Sequence, residues 1–174
     1  MWRTRGLRGS ALEEALNMTN EKYRTKSLAL VQKIPTPIKP MEIDKEHGQI
    51  KLAYFEQKST VDYIGVVQGV PICFDAKECA VDSFSIANIH EHQVNYMTEF
   101  EKQQGIAFLL IHFTGRDVYY YVPYQDMMAF WNRAKNGGRK SFHISELDEA
   151  YQITATNNVF IHYLEPLSRD LESR

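Results

Sequence analysis

A chain of 174 residues with 44% hydrophobic and 24% charged residues has the composition of one ordinary globular domain, able to bury about 70% of its unfolded surface. The net charge of −2 excludes a uniformly basic nucleic-acid binder, so a polyanion would have to be met by a local patch. No apolar run reaches ~18 residues, which argues against a membrane-spanning helix and membrane partners. The N-terminus is basic but has no apolar stretch of signal-peptide type, and Cys73 and Cys79 suggest neither a disulfide framework nor a zinc site. These features read as a reduced, cytoplasmic protein.

In chain order, residues 1–9 form a basic arm carrying Arg3, Arg5 and Arg8. Ser10-Ala11-Leu12-Glu13 fits a capping box, and Leu12, Leu16, Thr19 and Tyr23 recur on one face of the helix that follows. A short strand is expected from Leu28 to Gln32. Pro35, Pro37 and Pro40 then exclude a helix or a central strand, so residues 35–55 read as a protruding hairpin or ordered loop whose apolar contacts come from Ile38, Met41, Ile43, Ile50, Leu52, Tyr54 and Phe55. A helix is predicted from about Ile89 to Gln104. A second hairpin follows, from Ile106 to Phe113 and from Val118 to Val122, with its turn at Gly115-Arg116. Next come a helix over Gln125 to Lys135 stopped by Gly137-Gly138, a short helix near Ser145, a strand from Val159 to Tyr163, and a polar tail over about 164–174.

The stretch between these elements, residues 60–78, carries the chemistry. Tyr63 to Val67 and Val70 to Phe74 are strand-like and separated by Gln68-Gly69, a two-residue hairpin turn. Antiparallel pairing through that turn sets residue numbers that sum to 137 opposite each other. Asp62 then faces Asp75, and Thr60 faces Lys77; Asp75 and Lys77 share that face because side chains alternate along a strand. Opposed carboxylates repel unless a cation compensates, which favours a divalent metal site with an ammonium beside it. Magnesium fits hard oxygen ligands and few of them. Such an ion polarises a phosphate oxygen and acidifies a bound water, and Lys77 can stabilise the charge that gathers in the transition state, so the constellation points to phosphodiester hydrolysis. Apolar residues on both faces of this hairpin call for cover on both sides, hence a mixed α/β layer structure.

Around that constellation, Ser59-Thr60-Val61-Asp62-Tyr63, Phe74-Asp75-Ala76-Lys77-Glu78 and His90-Glu91-His92-Gln93 resemble blocks of the RecU Holliday-junction resolvases. So do Arg8-Gly9 with Leu12-Glu13-Glu14, Asn20 with Tyr23, Pro35-Thr36-Pro37, and Gly137-Gly138-Arg139-Lys140-Ser141. The order and spacing match over nearly the whole chain. The resemblance implies a single restriction-endonuclease-like domain with a central mixed sheet flanked by helices and a stalk at about 35–55. It also implies a homodimer and Mg²⁺-dependent cleavage of four-way junction DNA by paired symmetric nicks, with Mn²⁺ as a substitute ion. Carried over by position, the metal ligands are Thr60, Asp62, Asp75 and Gln93, with Lys77 as transition-state stabiliser. Glu13 matches the acidic residue of the first helix in such nucleases, although a capping-box role accounts for it equally well. Asp75 stands where the family commonly has Glu, the Asp75-to-Gln93 connection is one residue shorter, and the stretch before Arg8 is brief; a phage or mobile-element member would suit such trimming.

Arg3, Arg5, Arg8, Lys39, Arg139 and Lys140 are the candidate phosphate contacts. Tyr119-Tyr120-Tyr121 alternates faces in a strand and reads as packing rather than base stacking. His90 and His92 are expected to point in different directions, a poor metal pair, and to serve in capping or packing. The rival readings are an endonuclease of the same fold acting on other DNA structures, and a non-catalytic junction-binding protein.

Overall fold

A computed structural model describes residues 11–55, 60–154 and 159–174. Helix α1 (Ala11–Thr25) leads into β1 (Leu30–Lys33) and a separate two-stranded ribbon, β2 (Ile38–Asp44) with β3 (Gln49–Phe55). Strands β4 (Tyr63–Val67) and β5 (Val70–Cys79) follow, then a short β6 (Ser83–Ser85), a 3₁₀ turn at Ile86–Asn88 and α2 (Glu91–Lys102). The rest comprises β7 (Ile106–Phe113), β8 (Val118–Pro123), α3 (Tyr124–Lys135), β9 (Ser141–His143), a 3₁₀ turn at Ile144–Glu146 and another at Glu149–Tyr151, β10 (Gln152–Ile153) and α4 (Leu164–Glu172). The mixed α/β architecture expected from the sequence is what the chain forms.

The main sheet has the order β1-β4-β5-β7-β8-β10. Among the described strands only β5 and β7 run parallel, with Ile72 opposite Ile106 through Cys79 opposite Phe113. That pair needs a crossover, and the segment carrying α2 supplies it. β7 reads Ile-Ala-Phe-Leu-Leu-Ile-His-Phe, almost continuously apolar, as a central strand covered on both faces must be.

The two faces have separate cores. One gathers Cys73, Leu109, Ile111, Tyr120 and Val122 beneath α2 and α3, which contribute Val94, Met97 and Met127. The other gathers Tyr63, Ile72, Phe74, Phe108, Leu110 and Tyr121 beneath α1, which contributes Leu12, Leu16 and Tyr23. The three consecutive tyrosines therefore alternate as expected, with Tyr120 on the first face and Tyr119 and Tyr121 on the second. On the second face, stacked rings cross the sheet. Tyr63 lies 4.7 Å from Phe74, Phe74 lies 4.7 Å from Phe108, and Phe108 lies 4.2 Å from Tyr121. Each such pair adds about 0.5–1.5 kcal/mol beyond its burial, and Tyr63 and Phe74 are the immediate neighbours of Asp62 and Asp75. The packing thus clamps the end of the hairpin that bears the carboxylates.

Two expectations change near the C-terminus. The predicted strand at Val159 to Tyr163 does not form, and the stretch read as a polar tail contains α4. Val159, Ile161 and Tyr163 are buried in alternation, which mimics a strand pattern, but beyond a single bridge at Val159 they insert into the α1-side core without forming a strand. Tyr163 Oη donates to Asn20 Oδ1 at 2.5 Å, tying this segment to α1. In α4, Leu167 and Asp170 are buried; Asp170 accepts from Tyr121 Oη at 2.6 Å and pairs with Arg174 at 3.0 Å. Arg169 pairs with Glu165, and Arg174 with both Asp170 and Glu101, so much of the charge that makes the segment look like a solvated tail is spent on ion pairs.

Candidate active site

The reversal at Gln68-Gly69 forms as predicted, with φ of 49° and 90° at its two residues. Positive φ at both central positions is the twist-compatible geometry of a two-residue hairpin. Val67 faces Val70 and Tyr63 faces Phe74, the expected register.

Beyond Tyr63 the backbone ladder gives way to side chains. Asp62 N–H donates to Asp75 Oδ1 at 2.8 Å, and Ala76 N–H donates to Asp62 Oδ2 at 3.0 Å. Each carboxylate thus holds the other strand by one oxygen. Strand pairing stops at Tyr63 opposite Phe74, so Thr60 and Lys77 do not pair in the ladder as the register alone suggested. Asp62 also anchors β1, its carbonyl accepting from Ile34 N–H at 2.8 Å.

Asp75 is fully buried, and its Oδ2 has no hydrogen-bond partner. Lys77 Nζ lies 3.1 Å from that oxygen as an ion-pair contact, off the direction of a hydrogen bond. Burial pushes the Asp75 carboxyl up to about 6; the Lys77 ammonium pulls the other way and the Asp62 charge reinforces the rise. A buried carboxylate with an orphaned oxygen, beside a second carboxylate, is a place where a cation lowers the free energy. Hard oxygen donors are what Mg²⁺ or a similar ion requires. Among the described residues, no cluster of three or more His, Cys, Asp and Glu side chains forms, so any cation here would rest on the two aspartates, neutral oxygens and water.

Helix α2 brings Gln93 to the same place. Gln93 is only 6% exposed; its Oε1 accepts from Lys77 Nζ at 3.4 Å and from His90 N–H at 3.1 Å. Capping, one of the two roles expected of His90, is the one it takes: it is the N-cap of α2, three residues before Gln93, the spacing of a capping box. His90 occupies the N-cap in extended conformation, with φ −86° and ψ 144°. It therefore leaves the helical path, and its ring stacks on His92 at 5.4 Å, where divergent rings had been expected.

Glu13 pairs with Lys33 at 2.5 Å. Arg139 contacts Ser141 Oγ at 3.3 Å and Glu146 Oε1 at 3.4 Å. Lys140 is exposed beside Trp131 and Ile86, around a pocket of about 230 Å³. Lys39 is exposed on β2 opposite Tyr54. Arg3, Arg5 and Arg8 lie outside the described residues, as do Ser10 and Ser59.

Residues 7–169 match the family described as Recombination protein U, RecU. The chain belongs to the RecU family. A Holliday junction resolvase RecU of Pediococcus pentosaceus is 40% identical over 173 residues, which cover 97% of this chain and 86% of that protein. One from Bacillus cereus strain B4264 is 43% identical over 146 residues, 82% of this chain and 73% of that one. Among solved structures, Archaeoglobus fulgidus Hjc, a Holliday junction resolvase, aligns over 67% of this chain and 73% of its own at 11% identity, with a TM-score of 0.42. The blocks Asp62-Tyr63, Phe74 to Glu78 and His90 to Gln93 all fall inside the RecU match. Among the described residues no helix is long and apolar enough to cross a membrane.

Proposed function

We propose that this RecU-family protein is a Mg²⁺-dependent, structure-selective endonuclease that resolves four-way DNA junctions by paired nicks, acting as a homodimer in recombination and repair. The observation that carries the reading is the interlocked pair Asp62 and Asp75, whose backbone-anchored carboxylates leave a buried oxygen beside Lys77. Relatives of 37–44% identity bearing the resolvase name support the same reaction.

Asp62 and Asp75 would hold the ion, with Thr60, Gln93 and a carbonyl oxygen as further ligands. A bound Mg²⁺ supplies Lewis acidity toward a phosphate oxygen and a water acidic enough to attack near neutral pH. The chain's own part is geometric and electrostatic. The hairpin fixes the two carboxylates by strand hydrogen bonds, and Lys77 offers its ammonium to the charge that develops on the phosphoryl oxygens. A four-way junction needs two matched cuts, and a two-fold dimer presents two such sites by symmetry. Lys39, Arg139 and Lys140, together with the basic residues of the N-terminal arm, would meet phosphates, a contribution that weakens with salt.

The test is incubation with a mobile and a fixed four-way junction and with linear duplex of the same sequence, with and without Mg²⁺, mapping the nicks. Symmetric nicks on opposed arms of the junctions, absent in EDTA, are expected. Equal cutting of linear duplex would instead support an endonuclease of other specificity, and intact junctions tightly bound in Mg²⁺ would leave a binding module.

A further inference from the structure

We propose that the pocket at Trp131 receives an unstacked nucleobase of the DNA strand, with Lys140 on a neighbouring phosphate, and that this step favours branched over linear DNA. The inference rests on the junction-endonuclease reading. From Met127 to Ser145 the chain carries Arg133, Lys135, Arg139 and Lys140 and no carboxylate, in a protein whose net charge is −2. This is the local positive stretch that a polyanion requires. Arg133 is committed to Glu146 at 2.6 Å, and Arg139 reaches the same carboxylate only at 3.4 Å. No carboxylate among the described residues pairs with the exposed Lys140.

The pocket supplies the other half of a nucleotide's chemistry. It holds about 230 Å³, less than the roughly 300–1,000 Å³ of a site for a drug-sized ligand, and suits one planar ring. Its walls are apolar, with Ile86 and Ile89 buried and Trp131 and Ala134 half-buried, and Lys135 and Lys140 complete the lining. The Lys140 carbonyl accepts from Ile86 N–H at 3.0 Å, which ties the lysine's backbone to the pocket wall. One face of the indole is open, because the exposed Lys135 lays its Nζ 4.9 Å from the ring centroid. That ammonium is held loosely, 3.5 Å from Glu91 Oε1 with both side chains more than half exposed. A base can take its place on the ring while the ammonium turns to a phosphate. The same contact joins the last turn of α3 to the first residue of α2, the helix whose start also faces the carboxylate pair, so nucleotides flanking the cut would lie beside the pocket. An acidic peptide matches the charge but has no reason to lie at that place. Extruding a base is easiest where its stack is already interrupted, as at a branch point, and this is the source of the selectivity.

The test uses the full chain with Trp2→Phe, which leaves Trp131 as the sole tryptophan, in EDTA so that no strand is cut. Trp131 emission is followed while a four-way junction, a linear duplex of the same sequence, or an acidic tyrosine-containing peptide is titrated in. The junction should quench it at least twofold, and neither duplex nor peptide should match this at saturation. Trp131→Ala should weaken junction binding in gel shift about tenfold while duplex affinity stays within about twofold, and Trp131→Phe should restore most of the loss. Lys140→Ala should lower the salt slope of junction binding by about one contact. Emission unchanged by the junction, equal quenching or equal weakening for junction and duplex, or an unchanged slope in Lys140→Ala overturns the proposal. So does quenching by the peptide alone, which would give the pocket to a protein partner. Should Trp131→Ala fail to fold, the parent's emission and the Lys140→Ala slope decide. None of these readouts needs cleavage. A chain quenched by junctions that it never nicks in Mg²⁺ keeps the pocket and loses the nuclease, and one that nicks without quenching does the reverse.

Discussion

The β2–β3 and β4–β5 hairpins are neighbours in sequence with similar apolar content, yet they are built for different ends. In β4–β5 the register runs unbroken from Val67 opposite Val70 to Tyr63 opposite Phe74, and both faces are covered. In β2–β3 the register shifts twice, near Glu42, and the apolar side chains stay exposed, Phe55 at 74% and Met41 at 61%. Bulges and uncovered apolar residues mark a surface that waits for something larger than a side chain. The difference shows that an alternating pattern specifies a hairpin locally, while membership of the core depends on which helices arrive later in the chain. Rigid placement belongs to the covered hairpin, and an exposed apolar surface to the uncovered one.

The strongest way to break this contrast is at the carboxylates. Asp75→Ala should lower junction cleavage by at least ~10³-fold, while junction binding in Ca²⁺ or EDTA, measured by gel shift, stays nearly intact; undiminished nicking would remove Asp75 from the reaction. Next comes the aromatic clamp. Phe74→Ala should cost about 3–5 kcal/mol in chemical denaturation, whereas Met41→Ala on the stalk should stay within about 0.5 kcal/mol. A similar loss at both positions would erase the distinction between the hairpins.

Acidity gives a third comparison. The folded Asp75 carboxyl titrates near 6, above its ordinary 3.8, so between these values the folded state holds a proton that the unfolded chain has released. Metal-free stability should therefore be highest below about pH 4 as far as this group is concerned. It should fall as pH rises toward 6, by up to about 3 kcal/mol. Denaturation in EDTA across pH 4–7 should show that slope, and Asp75→Asn should flatten it. For the same reason divalent-ion affinity should drop as pH falls below about 6.

Glycines sharpen the contrast further. A Cβ at Gly65 would lie 2.3 Å from Leu30 carbonyl oxygen on β1, so Gly65→Ala should cost about 1–3 kcal/mol by overpacking. A Cβ at Gly48, in the stalk turn, meets nothing, and Gly48→Ala should cost only the ~1 kcal/mol of its positive φ of 63°. Smallest of all, Lys39→Ala should leave stability unchanged and reduce the salt slope of junction binding by about one phosphate contact.

The β4–β5 hairpin was legible in the sequence because a two-residue turn fixes register, and register alone sets Asp62 beside Asp75. The side-chain interlock was not, since it replaces the ladder that register extrapolates, and Thr60 and Lys77 part company as a result. Gln93 was placed by resemblance; its two donors depend on how α2 docks, which no local pattern encodes. His90 misled because an N-cap residue does not follow helical geometry, and Val159 to Tyr163 because alternation also occurs in irregular chain wedged into a core.

The most direct measurement is calorimetric titration of Mn²⁺ into the parent protein and into Asp62→Ala and Asp75→Ala. If the two aspartates share a cation, the parent binds it and each single change weakens that binding at least tenfold. Undiminished affinity in either variant would show that the interlocked pair is not the metal site.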